Sequence, residues 1–416
     1  MIEPKAHHTV RTGITRSLRH PNYRLFFSGQ SVSLIGTWLS RVATSWLVFR
    51  LTHSAFMLGL VSFAGLIPTF FLAPVAGVLV DRWNKHRVLI TTQVLAAIQS
   101  AVFAALTLSG KITVLEIVVL SVFQGLINAF DMPVRQSFVV EMIEDRSDLP
   151  NAIALNSSMV TFARLAGPSF AGILIAAVGE GGCFAIDAVS YLAVIATLMM
   201  MKIRPQSSSS AKPVVQKRIL LDLKEGFQYA RNSRVIVSVL GLLALVSFMG
   251  MPYMTLLPMI ASERLAGDAR VLGYLTAASG LGALLGALFL ASRKSALGLG
   301  RIAAFAAFTF GVGLIFVGVS HSLWFSLPMM LVSGMGMMVQ TASSNTILQT
   351  IVEEDKRGRI MSLFLMAYAG MAPFGSLFGG FLADRVGASV TLEWGGAVCC
   401  LGALVFFRGL PKFKQS

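Results

Sequence analysis

Long apolar runs separated by short polar stretches make up almost the whole chain. Each run is long enough for a membrane-spanning helix, which needs roughly 20 apolar residues to cross the hydrocarbon core of a bilayer. The pattern predicts twelve such helices, near residues 24–50, 55–80, 87–109, 112–134, 152–178, 183–202, 235–261, 271–292, 301–319, 323–347, 358–383 and 388–408. An even number of spans places both termini on the same side of the membrane.

Lys and Arg are concentrated in the loops and tails on one side of this predicted bundle. Short loops rich in these residues are typically cytoplasmic, so the pattern predicts cytoplasmic termini. The basic residues are scattered over loops, and they do not form the clustered basic surface of a nucleic-acid-binding domain. We therefore expect a lipid bilayer and a small-molecule substrate as partners, no nucleic acid, and a monomer.

The longest polar stretch, residues 204–234, lies in the middle of the chain. Its serine-rich first part, Pro205–Pro213, is typical of a flexible linker. Basic residues then alternate with apolar residues at helical spacing, which predicts an amphipathic helix on the inner membrane surface. The apolar positions are Ile219, Leu220, Leu223, Phe227 and Ala230. We interpret the segment as a strap that joins two halves of the protein; the alternative is a regulatory site.

The two halves of the chain repeat weakly. The segment that begins at Val134 resembles the one that begins at Ser344, and Gly172–Gly179 resembles Gly380–Gly387. Half-length repeats are typical of transporters built from two helix bundles around a central site. The sequence thus predicts an all-α polytopic membrane protein with two pseudo-symmetric six-helix bundles. The predicted divisions are a cytoplasmic segment (1–23), two bundles (24–203 and 235–408), a cytoplasmic linker (204–234) and a tail (409–416).

Composition excludes several other classes of protein. Of the 416 residues, 55% are hydrophobic and 13% are charged, with a mean hydropathy of +0.74 and a net charge of +15. Globular proteins average about 45–50% apolar and about 25% charged residues. The three cysteines all fall inside apolar runs and suggest no disulfide framework. No ATP-binding loop, catalytic serine motif or zinc motif occurs, so we expect neither an enzyme nor a cofactor or metal site.

A charged hairpin separates the second and third apolar runs. Its sequence, Gly77-Val-Leu-Val-Asp-Arg-Trp-Asn-Lys-His-Arg87, has the spacing G-x-L-x-D-R-x-x-K-x-R. This spacing, between these two helices, resembles the signature loop of the major facilitator superfamily of transporters. The resemblance covers essentially the whole chain, and it implies a gate at the cytoplasmic side. The implied gate residues are Gly77, Asp81, Arg82, Lys85, Arg87, Asp131 and Arg135.

Within that gate, the resemblance implies that Asp81 meets the positive N-terminus of helix eleven. Asp131, at the inner end of helix four, matches the acidic partner of the loop cations, and Arg135 shares its helical face. Two positions depart from the family: Asn84 replaces a glycine and is expected to tolerate a left-handed turn, and Lys85 replaces an arginine. The alternative is an ordinary inner loop with solvated charges.

Charged and polar side chains inside the predicted helices are candidates for a substrate or proton pathway. Arg41 lies within helix one, Arg164 within helix five, and Asp187 in the outer part of helix six. A charge in hydrocarbon is costly, so each should face a central cavity or a buried partner. Gln124 and Asn128 lie four residues apart on helix four and could line the same cavity. Structural interhelical contacts are the alternative for Arg41, Arg164, Gln124 and Asn128.

Helix five also contains Gly167-Pro168-Ser-Phe-Ala-Gly172, which resembles a motif of proton-coupled antiporters. Pro168 is expected to kink the helix, and the small residues to permit close packing against helix eight. Helix four departs from the antiporter pattern, because Ser121 stands where that pattern has arginine. The departure puts the usual proton relay in question, although a proton gradient remains the expected energy source.

Methionine-rich runs, Met249–Met259 and Met329–Met338, would give a soft apolar cavity suited to lipophilic cargo; ordinary packing is the alternative. Several stretches, including His20–Arg24 and Phe130–Gln136, resemble the bacterial branch that contains the enterobactin exporter and macrolide efflux proteins. That resemblance implies a proton-coupled exporter in the bacterial inner membrane, carrying a drug-like molecule or a siderophore. The alternatives are a lipid or lysophospholipid transporter and a membrane scaffold or sensor that does not transport.

Overall fold

The computed structural model describes residues 15–80, 83–202, 219–293 and 298–409. Throughout those ranges the chain is helical and contains no strand. The linker helix is Ile219–Asn232. The long helices are Pro21–Thr52 (α1), Ala55–Val80 (α2), Lys85–Leu108 (α3), Val114–Met142 (α4), 149–178 (α5), 180–199 (α6), Arg234–Arg264 (α7), Ala269–Ala291 (α8), Leu299–Val319 (α9), Leu323–Ile351 (α10), Glu354–Val386 (α11) and Ala388–Gly409 (α12).

Gly179 separates α5 from α6. Residues Leu149–Met199 are otherwise continuous helix, but Gly179 has φ 73° and ψ 173°, a conformation that residues with a Cβ rarely adopt. Eleven described helices are long and apolar enough to cross a membrane when this segment is counted once. The break divides it into two spans, so the prediction of twelve spans is confirmed. Gly387 has φ 91° at the corresponding point between α11 and α12.

The helices pack as two bundles. In the first, α1 and α3 pack against the α5–α6 segment, and α2 packs against α4. In the second, α9 packs against α10 and α12, and α10 packs against α8. The main contacts between the bundles are α2 with α11 and α5 with α8. The linker helix belongs to the second bundle, where Glu225 forms a 2.9 Å ion pair with Arg359 of α11.

The two bundles approach most closely at the end where α2 begins and α11 ends, here called the sealed end. A Cβ at Gly59 would lie 2.5 Å from the carbonyl oxygen of Ser376 and 3.2 Å from Cα of Gly380. A Cβ at Gly172 would lie 2.6 Å from the carbonyl oxygen of Ala269. Only glycine permits such backbone contact between helices. Under the predicted orientation the sealed end is the outer end.

Candidate functional site: a central cavity and a charged inner cluster

A cavity of about 350 Å³ lies between the two bundles. The wall from the first bundle carries the charged and amide groups of the lining and many hydroxyl groups, together with apolar side chains, whereas the wall from the second bundle has three hydroxyl groups and is otherwise apolar. Wall residues of the first bundle include Ser40, Arg41, Ser100, Gln124, Asn128, Asp187 and Tyr191. Those of the second are Met251, Met254, Thr255, Leu257, Leu272, Thr276, Ala372 and Ser376. The polar groups of the cavity are therefore concentrated on the side of the first bundle, and the side of the second bundle is more apolar.

Asp187 of α6 is the acidic group of the polar wall. It is 2% exposed, and its Oδ2 accepts hydrogen bonds from Ser100 Oγ of α3 at 2.5 Å and Ser40 Oγ of α1 at 2.6 Å. Its Oδ1 has no hydrogen-bond partner among the described residues. Gly36 makes room for it, because a Cβ there would lie 2.7 Å from Oδ1. The sequence pointed to Asp187 but not to its two serine donors.

Arg41 of α1 is the basic group of the same wall. Its guanidinium lies 5.1 Å from the centre of the Trp38 ring, and it is exposed to the cavity. Trp38 packs in turn against α5, where a Cβ at Gly167 would lie 2.4 Å from its Cβ. In the described part of the chain, no carboxylate forms an ion pair with Arg41. A cation–π contact is thus the partner that the structure gives this guanidinium.

Arg164 of α5 differs from Arg41. It is half-buried where α5 meets α8, its carbonyl oxygen lies 3.2 Å from the position of a Cβ on Gly280, and it is not among the residues that line the cavity. The predicted role of Arg164 in a substrate or proton pathway stays a prediction.

Gln124 and Asn128 both line the cavity, one turn apart on α4. Gln124 Nε2 donates to Asn128 Oδ1 at 3.1 Å, so their hydrogen bond joins two residues of one helix and not two helices. Ser121, which stands where the antiporter motif has arginine, lies one turn further along the same wall. These three side chains extend the polar wall along α4.

The helix-five motif faces α8, the neighbour that the sequence predicted. Pro168 presents its carbonyl oxygen to Gly273, where a Cβ would lie 2.7 Å away, and Gly172 packs on the first turn of α8. The backbone of α5 remains helical through Pro168, and the one non-helical residue of Leu149–Met199 is Gly179. The kink expected at Pro168 stays a prediction, and the break in helical backbone angles lies at Gly179, between α5 and α6.

A charged cluster around Asp131, here called the inner cluster after its side in the predicted orientation, lies at the end of the first bundle opposite the sealed end. Asp131 is 6% exposed and accepts hydrogen bonds from Thr92 (2.9 Å), Gln93 (2.7 Å) and Arg135. Lys85 instead pairs with Glu141 at 2.7 Å, a residue of α4 that no sequence pattern singled out. Arg135 thus occupies the carboxylate of Asp131 in this structure, and the expectation that Asp131 receives a cation of the loop stays a prediction. Burial of Asp131 between α3 and α4 also favours partners from those helices.

The hairpin between α2 and α3 is described in part. Asn84 has φ −68° and ψ 103°, so the expected left-handed turn is wrong, and its Oδ1 caps α3 by accepting from the Arg87 backbone N–H at 3.0 Å. Asparagine is among the preferred residues at such a cap. The Arg87 side chain is exposed. Gly77 lies in the last turn of α2, while Asp81 and Arg82 fall outside the described residues.

Twelve spans in two bundles around a central cavity define a multi-pass membrane protein of the transporter class. The family model described as transmembrane secretion effector matches residues 13–416, and the chain belongs to that family within the major facilitator superfamily. It is 25% identical over 402 residues to the staphyloferrin A transporter of Staphylococcus aureus, covering 94% of this chain and 97% of the relative. It is 24% identical over 410 residues to the multidrug efflux pump Tap of Mycolicibacterium fortuitum, covering 97% and 98%.

Among solved structures, the nucleoside transporter NupG superposes with a TM-score of 0.70 at 15% identity, covering 97% of this chain and 100% of that one. At such low identity the likeness shows the fold alone. The predicted major facilitator fold is confirmed, and the chain is a secondary transporter of small molecules.

Proposed function

We propose that this protein exports an amphipathic small molecule across the bacterial inner membrane in exchange for protons, with both termini in the cytoplasm. The observation that carries the proposal is the division of the cavity into a polar wall and an apolar wall. A molecule with one oxygen-rich end and one lipophilic end would satisfy both walls at once. The drug pump and siderophore transporter among its relatives support cargo of this kind.

Arg41 is the group that recognises the polar end of the cargo. A guanidinium carries only hydrogen-bond donors, so it binds carboxylate, catecholate or carbonyl oxygens and repels cations. The methionine and leucine side chains of the second bundle adapt to apolar bodies of different shape. The cargo therefore lies with its oxygen atoms against α1 and its lipophilic body against α7.

Asp187 carries the proton. A buried carboxylate without a cation partner is costly to keep charged, and taking up a proton removes that cost. Its free Oδ1 and its place in the cavity wall, both seen within the described part of the chain, give a proton a site to occupy. This assignment does not require the arginine that Ser121 replaces.

The test is transport by purified protein in proteoliposomes with an imposed pH gradient. The panel contains a macrolide, a catecholate siderophore, a lipophilic cationic dye and a lysophospholipid. We expect gradient-dependent movement of one of the first two, loss of that movement in Arg41→Gln, and loss of its gradient dependence in Asp187→Asn. Arg270→Gln and Asp268→Asn change an exposed pair at the start of α8 and serve as matched controls.

Four results would contradict the proposal in whole or in part. Movement of the dye alone would show that the cargo is a cation, and movement of the lysophospholipid alone would make the protein a lipid transporter. No movement of any compound would remove the support for export. If transport by Asp187→Asn kept its dependence on the pH gradient, a group other than Asp187 would carry the proton.

A further inference from the structure

Two buried carboxylates of the first bundle, Asp187 and Asp131, are hydrogen-bonded to the same helix. On α3, Ser100 donates to Asp187 and Gln93 donates to Asp131, and these two donors are seven residues apart. At 1.5 Å per residue, the carboxylates are thus about 10 Å apart along the bundle. Asp187 lines the cavity, whereas Asp131 and Gln93, both within the described part of the chain, lie outside its lining. About two helical turns of the first bundle therefore separate the cavity wall from the inner cluster.

Tyr191 of α6 lies between these two levels. It follows Asp187 by one turn, it lines the cavity, and its hydroxyl oxygen is 3.5 Å from the hydroxyl oxygen of Thr37 on α1. It also packs with Ala96 of α3 and Ile127 of α4, and both of these residues are one turn from the inner cluster. The phenol therefore places a hydroxyl group in the stretch between the two carboxylates.

Three buried oxygen atoms along this stretch have no hydrogen-bond partner among the described residues. They are Oδ1 of Asp187, Oε1 of Gln93 and Oε1 of Gln30 on α1. Both glutamines are only 1% exposed. Buried polar atoms are nearly always hydrogen-bonded, and water is the usual partner where the protein supplies none. The three acceptors therefore indicate positions for hydrogen-bonded water inside the first bundle.

α1 packs along α6 over the same stretch. A Cβ on Gly36 would lie 2.7 Å from Asp187 Oδ1, and a Cβ on Gly29, two turns away, would lie 3.1 Å from the backbone of α6. Gln30, next to Gly29, is therefore about two turns from the level of Asp187, as Gln93 is on α3. The acceptors without partners thus come from three helices that surround one stretch of the bundle.

We propose that this stretch is a proton path from Asp187 to the inner cluster, formed by the Tyr191 hydroxyl and by water bound to Gln30 and Gln93. Hydrogen-bonded oxygen atoms lie about 2.8 Å apart, so the hydroxyl and about two water molecules span the 10 Å. Cargo in the cavity leaves the path open, because the path runs inside one bundle and the cargo lies between the two. The path rests on the proposed role of Asp187 as the proton carrier.

The transfer changes no bond other than those to the moving protons. The carboxyl group of Asp187 gives up its proton, each hydroxyl or water of the path accepts one proton and releases another, and the carboxylate of Asp131 receives one. From Asp131 the proton passes to water at the inner end, where the Arg135 side chain is 22% exposed. Arg41 and Tyr191 are the titratable side chains that share the described cavity wall with Asp187.

The test follows the protonation of Asp187 after a pH jump, by the infrared carbonyl band that Asp187→Asn removes, and it needs no cargo. The cavity is plugged with pyrene maleimide on Thr276→Cys in the second bundle's wall, after replacement of the three native cysteines. Pyrene emission that iodide does not quench shows that the plug excludes solvent. We expect the plugged parent to titrate, because protons still reach Asp187 from the inner end. In plugged Tyr191→Phe and plugged Gln93→Leu the rate should fall by about tenfold or more.

Gln340→Leu is the matched control. Gln340 is a fully buried glutamine of α10 that bonds Ser344 within the second bundle at 3.3 Å, so its loss should leave the rate in the plugged protein unchanged. Tyr191→Phe removes a single oxygen atom and carries the test if Gln93→Leu does not fold.

Two results would overturn the path alone. If Asp187 titrated in the open parent but not in the plugged parent, protons would reach it through the cavity only. If plugged Tyr191→Phe and plugged Gln93→Leu kept the rate of the plugged parent, the proton would travel by other groups. A carbonyl band that did not titrate even in the open parent would instead contradict the proposed role of Asp187, and the path with it.

Discussion

Lys85 Nζ lies 2.7 Å from Glu141 Oε1 and joins the first turn of α3 to the last turn of α4. The pair is about four-fifths buried on each side, and it lies within the first bundle. Its position assigns Lys85 a partner different from the one that the signature hairpin implied. The ion pair joins α3 and α4 near the hydrogen bonds that Thr92 and Gln93 of α3 donate to Asp131 of α4.

We predict that Lys85→Glu and Glu141→Lys each destabilise the protein and that the double exchange restores most of the loss. Each single variant leaves two like charges in contact, whereas the exchange rebuilds the pair in reverse. Partly exposed pairs contribute roughly 0.2–1 kcal/mol, so we expect a double-mutant coupling of about that size. Thermal unfolding followed by fluorescence-detected size exclusion measures it. If the loss of stability in the double variant equalled the sum of the two single losses, the two residues would not form a direct ion pair.

The serine donors of Asp187 should control the pH dependence of transport. Ser40 and Ser100 donate to the charged carboxylate, so replacing both with alanine favours its protonated form. Each hydrogen bond to a charged group is worth about 1.5–3 kcal/mol, part of which water in the cavity restores. We predict that the pH of half-maximal transport rises by about one pH unit in the double variant.

Initial transport rates measured between about pH 5 and pH 9 test this shift. Thr44→Ala and Thr276→Ala are matched controls, because each hydroxyl donates to a carbonyl oxygen of its own helix at 2.8 Å. A pH profile that moves equally in the controls would indicate a general change of the cavity. A profile that does not move in the serine variant would show that another group titrates.

Close packing of α5 on α8 makes Gly172 sensitive to the smallest substitution. The atoms that a Cβ would meet are backbone atoms of Ala269, Arg270 and Gly273, at 2.6, 3.0 and 3.2 Å, and backbone cannot move aside as a side chain can. We predict that Gly172→Ala lowers the transport rate at least tenfold by parting the bundles at the sealed end. In Gly241→Ala, which meets nothing within 4 Å, transport should persist and stability should rise by up to about 1 kcal/mol from helix propensity.

The break at Gly179 shows how much of the helix arrangement could be predicted from the sequence. The apolar runs 152–178 and 183–202 were separable by length alone, because bilayer thickness limits a span. The glycine and its counterpart Gly387 were found through the half-length repeat. α1 begins at Pro21, three residues before the predicted run, because its first turn is held by polar contacts and not by lipid: Tyr23 donates to the Ala152 carbonyl oxygen at 2.8 Å. Helix ends depend on such packing, which hydropathy does not record.

The sequence predicted those site residues whose charge is energetically unfavourable inside a membrane. Arg41 and Asp187 stand out in an apolar run, and the structure places both in the cavity wall. Ser40 and Ser100 do not stand out, since serine in a membrane helix commonly bonds a carbonyl of its own helix. Glu141 was missed because its pairing with Lys85 depends on how the inner ends of α3 and α4 meet. Roles in transport stay predictions for all of these residues.

The Trp38 ring should set the affinity for cargo through its contact with Arg41. An aromatic face within about 6 Å of a guanidinium attracts it by roughly 0.5–1 kcal/mol at exposed sites, and here the ring fixes the donor group in the cavity. Trp38→Leu keeps bulk against Gly167 but removes the aromatic face, so we predict a rise in KM of about three- to fivefold at unchanged kcat. Trp38→Phe keeps a ring and should stay within about twofold of the parent. Transport titrations in proteoliposomes give both constants. An equal rise in the two variants would mean that the indole fills space, and an unchanged KM in Trp38→Leu would mean that Arg41 is positioned without it.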